Sequence, residues 1–304
     1  SLLCSQKLGH SWPSSSRYNE EANTSNENDG VGSLMIKMIA IDIDGTLVNG
    51  QKVMTQKVKE TIQEAMRRGI KIVLCTGRPP AGIKPYADEL GFGEHEDYII
   101  AQNGAYILRA DTNETVYKKT LTLAEVQEIY EFGKGFSAGT LLVGEHHYYS
   151  LEDEVTESMQ KDATIVNVDI SVLDPKAVTE EMGLMKILYI GNPNEVDVIE
   201  SAIPDQMRND FYIVRSQDFL VEVMEKSSNK GTALTKLADH LGIAMDEVMA
   251  LGDGENDYEM IQVAGLGVVM SNGTDNLKSI ANEITLSNEE DGVAHAIERW
   301  AFQS

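Results

Sequence analysis

Cysteine is almost absent: the 304-residue chain has two, Cys4 and Cys75. Two thiols exclude a disulfide framework and any zinc cage of several cysteines, and they suit a reducing compartment. No apolar run approaches the ~20 residues that a spanning helix needs, which argues against an integral membrane protein. Positive charge is scarce as well: 25 Lys and Arg stand against 49 Asp and Glu, for a net charge of −24. A surface this acidic repels phosphate backbones and anionic headgroups, so neither nucleic acid nor membrane is an expected partner. At ~150 residues per domain, the length suggests two domains. The expectation is an acidic cytoplasmic protein; its oligomeric state has no signature here.

Residues 1–34 differ from the rest, with eight Ser, four Asn and almost no apolar periodicity. They are expected to be a disordered, non-native leader, with Met35 the natural start. From there the chain is strongly patterned. Residues 36–43 form a nearly continuous apolar run, as a strand buried on both faces of a parallel sheet does. Thr55 caps a helix whose Val58, Ile62, Ala65 and Met66 share a face, and Gly69 stops it. Residues 71–76 predict a second strand, a short helix runs to Leu90, and residues 98–101 predict a third strand. This alternation predicts a doubly wound, Rossmann-like α/β sheet.

The middle of the chain reads differently. Residues 105–109 and 114–118 flank Asp111-Thr112-Asn113 as a hairpin. Thr122 and Glu125 have the spacing of a capping box. Strands are expected at 141–143, 146–151, 165–168, 185–190 and 211–215. The first rhythm returns with strands at 219–224, 248–251 and 266–270, and a closing helix over 292–301. The expected organisation is a core of 35–84 plus 218–304, interrupted by an α+β cap at 85–217.

Four polar clusters close buried strands or open helices: Asp42-Ile43-Asp44-Gly45-Thr46, Thr76-Gly77-Arg78, Asn229-Lys230-Gly231 and Gly252-Asp253-Gly254-Glu255-Asn256-Asp257. Ligands bind doubly wound sheets at such strand ends. Asp42 and Asp253, each ending an apolar strand, are costly to bury unless paired or metal-bound. Brought together they would repel, and a Mg2+ ion, which favours a few carboxylates and phosphate oxygens, would relieve the conflict. With the Thr76 hydroxyl and the Lys230 ammonium, the inventory suits phosphoryl transfer through an aspartyl-phosphate. Asp44 should then have a raised pKa, so that it can donate a proton near neutrality. His146-His147 are strand neighbours that face opposite ways, so chelation is not expected. Cys75 lies within an apolar strand and reads as a core residue.

The four clusters resemble the motifs of the haloacid dehalogenase-like (HAD) phosphatases. Their spacing is similar to that of the Cof-type branch, with its cap between the second and third motifs. The resemblance extends from Met35 to the C-terminus, taking in Asn103-Gly104-Ala105 and Glu222, and is strongest to the YidA-like bacterial sugar phosphatases. It implies Asp42 as nucleophile and Asp44 as general acid and base. Mg2+ would be held by the side chains of Asp42 and Asp253 and the main-chain carbonyl of Asp44, with Asp257 orienting its waters. Thr76, Gly77, Lys230 and Asn256 would bind phosphate, and Arg78 and Asn103 would face the substrate, a small phosphorylated metabolite. The alternatives are a phosphomutase working through the same intermediate and a non-catalytic sensor of phosphorylated metabolites.

Overall fold

The computed structural model describes residues 35–302. The expectations for residues 1–34 lie outside this range. The chain enters through β1 (Met38–Asp42), helix α1 (Gln56–Arg67), β2 (Lys71–Cys75), α2 (Pro80–Leu90), β3 (Tyr98–Ala101) and the hairpin β4 (Tyr106–Arg109) and β5 (Thr115–Lys118). The Thr55 hydroxyl accepts from the Val58 N–H to cap α1, and Gly69 follows the helix at φ +83°, as its pattern predicts.

A second set of elements follows: α3 (Leu123–Gly133), β6 (Gly139–Val143), β7 (His147–Ser150), α4 (Glu157–Ile165), β8 (Asp169–Val172), β9 (Lys186–Ile190), α5 (Pro193–Ala202), α6 (Asp205–Asp210), β10 (Phe211–Gln217) and β11 (Leu220–Glu225). The chain then returns through α7 (Lys230–His240), β12 (Val248–Gly252), α8 (Tyr258–Val263), β13 (Leu266–Val269), α9 (Asp275–Ile280), β14 (Glu283–Ile284) and α10 (Gly292–Ala296).

The strands form two sheets. The eight-stranded sheet has the order β14-β13-β12-β1-β2-β3-β4-β5, and the six-stranded sheet, here the cap, has the order β10-β11-β9-β6-β7-β8. From β14 to β3 the larger sheet is parallel; β4 and β5 extend it antiparallel. Alternate residues of β1 face opposite layers. Ile39 and Ile41 join Val58, Ile62, Ile83 and Val293, whereas Met38 and Ala40 join Leu234, Leu237 and Met260. Helices therefore cover both faces, as a doubly wound sheet requires.

The sheets move the expected boundaries. β3, β4 and β5 belong with β1, so the core continues past residue 85 to Lys118. β11 pairs with β9 and β10, so the segment at 219–224 is the last cap strand rather than the first returning core strand. A strand buried on both faces has the same apolar signature in either sheet, and only its partners reveal its membership. The strand expected at 165–168 is also displaced: Ile165 ends α4 and the strand is Asp169–Val172. Among the described residues, no helix is long and apolar enough to cross a membrane.

Candidate active site

Strand order reverses between β12 and β1, and their carboxyl ends bring the first and last clusters together. Asp42 is the last residue of β1, buried, and its Oδ1 accepts from Lys230 Nζ at 2.7 Å. Lys230 opens α7 with its ammonium fully buried, and it also donates to Asp257 Oδ1 at 2.6 Å. The other oxygen of Asp257 accepts from the N–H groups of Asp253 (2.9 Å) and Gly254 (3.0 Å). Asp253 Oδ1 accepts from the Thr46 hydroxyl at 2.8 Å. Gly45, at φ +80°, permits this approach: a Cβ there would lie 2.1 Å from Asp253 Oδ2.

One carboxylate oxygen each from Asp42, Asp253 and Asp257 lies within 4.8 Å of the others. Burial first, and then the negative charge of Asp257, push the Asp42 carboxyl well above its usual range, against the pull of Lys230. The same causes raise Asp253 to about 6. For Lys230 burial is outweighed by Asp257 and Asp42, which hold it firmly protonated. Three converging carboxylates with a single ammonium leave an excess of negative charge, and their hard oxygen donors suit Mg2+. The residues therefore fit the implied cation.

Asp44 corrects the expectation of a raised pKa. Arg78 clamps it with Nε to Oδ2 at 2.8 Å and Nη2 to Oδ1 at 2.6 Å, and Lys52 Nζ adds a third bond at 2.8 Å. Burial alone would raise the carboxyl, but these cations override it and hold it at about 2. Asp44 thus lines the same cavity as Asp42 and Asp253 but is held by two cations. Arg78 comes 34 positions later and touches the acid rather than an open phosphate site.

The second cluster lies beside the first. The Thr76 hydroxyl oxygen accepts from the Arg78 N–H at 3.0 Å, which leaves its own proton free to donate. Asn103 is buried at φ +58°, and its Oδ1 accepts from Asn256 Nδ2 at 3.1 Å. Cys75 precedes this cluster as a buried core residue, its thiol pushed up by burial.

A cavity of about 140 Å³ unites these groups with the cap. Asp42, Asp44, Thr76, Gly77, Arg78, Asp253 and Asn256 line it from the core. The cap supplies Tyr148, Asp162, Lys186 and Glu222. Lys52, Asp162 and Lys186 were not among the residues singled out in the sequence. Lys52 follows Asp44 in an ordinary polar loop. Lys186 is a lone Lys at the start of the apolar strand β9, which is the local signal of its special place.

Comparisons with known proteins agree with this geometry. Residues 39–297 match the family model of the haloacid dehalogenase-like hydrolases. YxeH of Bacillus subtilis (strain 168) is 35% identical over 263 residues, covering 86% of this chain and 97% of its own. The 5-amino-6-(5-phospho-D-ribitylamino)uracil phosphatase YcsE of the same organism is 31% identical over 269 residues, covering 88% of this chain and 96% of its own. Among solved structures, a haloacid dehalogenase-like hydrolase from Bacteroides thetaiotaomicron superposes with a TM-score of 0.77 at 32% identity, covering 87% of this chain and 99% of the other. A HAD subclass IIB sugar phosphatase gives 0.73 at 25% identity, covering 86% and 98%. Four motifs at strand ends and a helix start, an inserted cap and similarity to such enzymes over most of the chain lead to one conclusion: this chain belongs to the haloacid dehalogenase-like hydrolases, in their Cof-type branch, and is a phosphatase of that family.

Proposed function

We propose that the protein is a Mg2+-dependent cytoplasmic phosphatase that hydrolyses small phosphomonoesters, sugar phosphates among them, through an aspartyl-phosphate on Asp42. The observation that carries this reading is the convergence of Asp42, Asp253 and Asp257 around Lys230 at the edge of the cavity. The side chains of Asp42 and Asp253 and the main-chain carbonyl of Asp44 would hold the cation, with Asp257 ordering its waters. Bound there, the cation would neutralise the excess carboxylate charge and the phosphoryl oxygens.

The chain's own residues supply the remaining chemistry. An oxygen of ionised Asp42 attacks phosphorus, and the ester oxygen leaves with the bonding pair. Lys230, fully charged, and the Thr76 hydroxyl hold phosphoryl oxygens, and the Gly77 backbone and Asn256 complete that cradle. Asp44 gives its proton to the departing ester oxygen and later takes one from a water that attacks the phosphorus of the aspartyl-phosphate, whose bond to the Asp42 oxygen breaks to release phosphate and restore the carboxylate. A carboxylate held at about 2 is a poor acid and a poor base. Its Arg78 and Lys52 contacts must therefore loosen when substrate enters, with Arg78 and Asn103 turning to the substrate. A cavity of about 140 Å³ favours small leaving groups over macromolecules.

Phosphate release from a panel of sugar phosphates and p-nitrophenyl phosphate tests the reading, with Mg2+ and with EDTA, in wild type and Asp42→Asn. Turnover that requires Mg2+ and is lost in the variant is the expected result. Isomerisation of a sugar phosphate without net release would favour a mutase, and tight binding without any turnover would favour a sensor.

A further inference from the structure

The cap presents one face to the cavity, and that face is apolar apart from a few residues. In the β9–β11 register, Lys186 lies across from Met224 and Leu188 across from Glu222, so Lys186, Leu188, Leu220 and Glu222 share one side. Leu141, Val143, Leu188, Ile190 and Leu220 pack there as hydrophobic core. Lys186 and Glu222 are nonetheless charged residues only 3% exposed, hydrogen-bonded to each other. Lys186 also donates to the Gly77 carbonyl at 2.6 Å, which ties the cap to the Thr76-Gly77-Arg78 loop. A buried ion pair is weak evidence for stability, because apolar residues of similar volume often serve the fold as well or better.

Glu222 is also incompletely satisfied. Oε1 accepts from Lys186, but Oε2 is buried and has no hydrogen-bond partner. A lone acceptor of this kind in a native interior calls for an explanation. Glu222 also lines the cavity, which places this oxygen next to the space a ligand would fill. Lys186 already supplies the counter-charge, so the missing partner is a neutral donor, and a hydroxyl fits. Asp162 and Tyr148 line the same cavity, as do Ile165, Leu188 and Phe219, which offer carbon surface. Polar acceptors beside apolar walls match a polyhydroxylated carbon skeleton.

Resting on the phosphatase reading, we propose that Glu222 Oε2 is a specificity determinant that accepts a hydrogen bond from a hydroxyl of the leaving alcohol. Lys186 is the positioning residue that fixes Glu222 against the phosphate-binding loop. Substrates lacking that hydroxyl leave the buried oxygen unpaired and are selected against.

The test compares kcat/KM for the hexose 6-phosphate turned over best, its 2-, 3- and 4-deoxy analogues, and p-nitrophenyl phosphate, in wild type and Glu222→Gln. The variant should lose at least about tenfold more on the hexose phosphate than on p-nitrophenyl phosphate. One deoxy analogue should be discriminated against by wild type but much less by the variant. Equal losses on all substrates, or unchanged discrimination among the deoxy analogues, would overturn the assignment. If Glu222→Gln does not fold, the double variant Lys186→Met/Glu222→Met, which removes both charges, carries the same comparison. Absence of wild-type turnover on every sugar phosphate of the panel and on p-nitrophenyl phosphate would sink the phosphatase reading itself. Turnover of the hexose phosphate without the hydroxyl dependence sinks this inference alone.

Discussion

The core side and the cap side of the cavity are both lined by buried charge, yet they are built differently. On the core side each charge is tied into a network: Asp42 to Lys230, Lys230 to Asp257, Asp257 to two backbone N–H groups, Asp253 to Thr46. On the cap side one pair is made, Lys186 with Glu222, while Glu222 Oε2 remains open. The contrast follows from what each side must recognise. A phosphoryl group is the same in every substrate, so a rigid, preorganised set of dipoles serves it. Leaving groups vary, and an acceptor held in place but unsatisfied can select among them.

Asp42→Asn should sharpen this contrast most. Loss of the proposed nucleophile should reduce kcat on the order of 10⁴-fold or more, measured by phosphate release, and by the same factor for every substrate. A substrate-dependent loss would blur the distinction between the two sides.

Lys230→Met attacks the same network through stability. It leaves the buried Asp42 and Asp257 carboxylates without their counter-ion, and unfolding in urea should show a loss of about 3–5 kcal/mol. A change under 1 kcal/mol would mean that the network is more hydrated than its burial indicates.

The cap side should respond to pH through Asp162. Burial, reinforced by Glu222 and opposed by Lys186, raises its carboxyl to about 6 from the ordinary 3.8. The folded chain therefore holds this proton more tightly than the unfolded chain. Its contribution is fully present below about pH 4 and is lost as pH rises through about 6. Asp162→Asn should remove that slope and stabilise the protein at pH 7.5 by on the order of 2 kcal/mol, seen in paired melts at pH 4.5 and 7.5. An unchanged slope would assign the pH response elsewhere.

The smallest effect is expected from Thr46→Val, which removes the hydroxyl that orients Asp253. Apparent Mg2+ affinity in the activity assay should fall about tenfold, with little change in kcat at saturating metal. An unchanged Mg2+ requirement would show that Asp253 needs no such support.

Much of the core was legible because buried strands, caps and strand-end carboxylates have local signatures. The 36–43 run, the Thr55 cap and the clusters at Asp42, Thr76, Lys230 and Asp253 are each set within a few residues. The strand at 219–224 was recognised as a strand and assigned to the wrong sheet, because an apolar run does not name its hydrogen-bonding partner. The same limit placed β4 and β5 in the cap instead of at the edge of the core.

The sequence by itself determined the local alternation of strands and helices, the polar clusters that close them and the excess of acid. These depend on neighbours three or four positions away and on side-chain chemistry alone. The tertiary structure alone decided the environment of each charge. Asp44, two residues from a carboxyl pushed upward, is held at about 2 because Arg78 and Lys52 meet it in space. Lys186 and Glu222, 36 positions apart, pair because β9 and β11 are neighbours in one sheet, and Lys186 reaches Gly77 only where the cap meets the core. Charge acts through distance and desolvation, and neither is written along the chain.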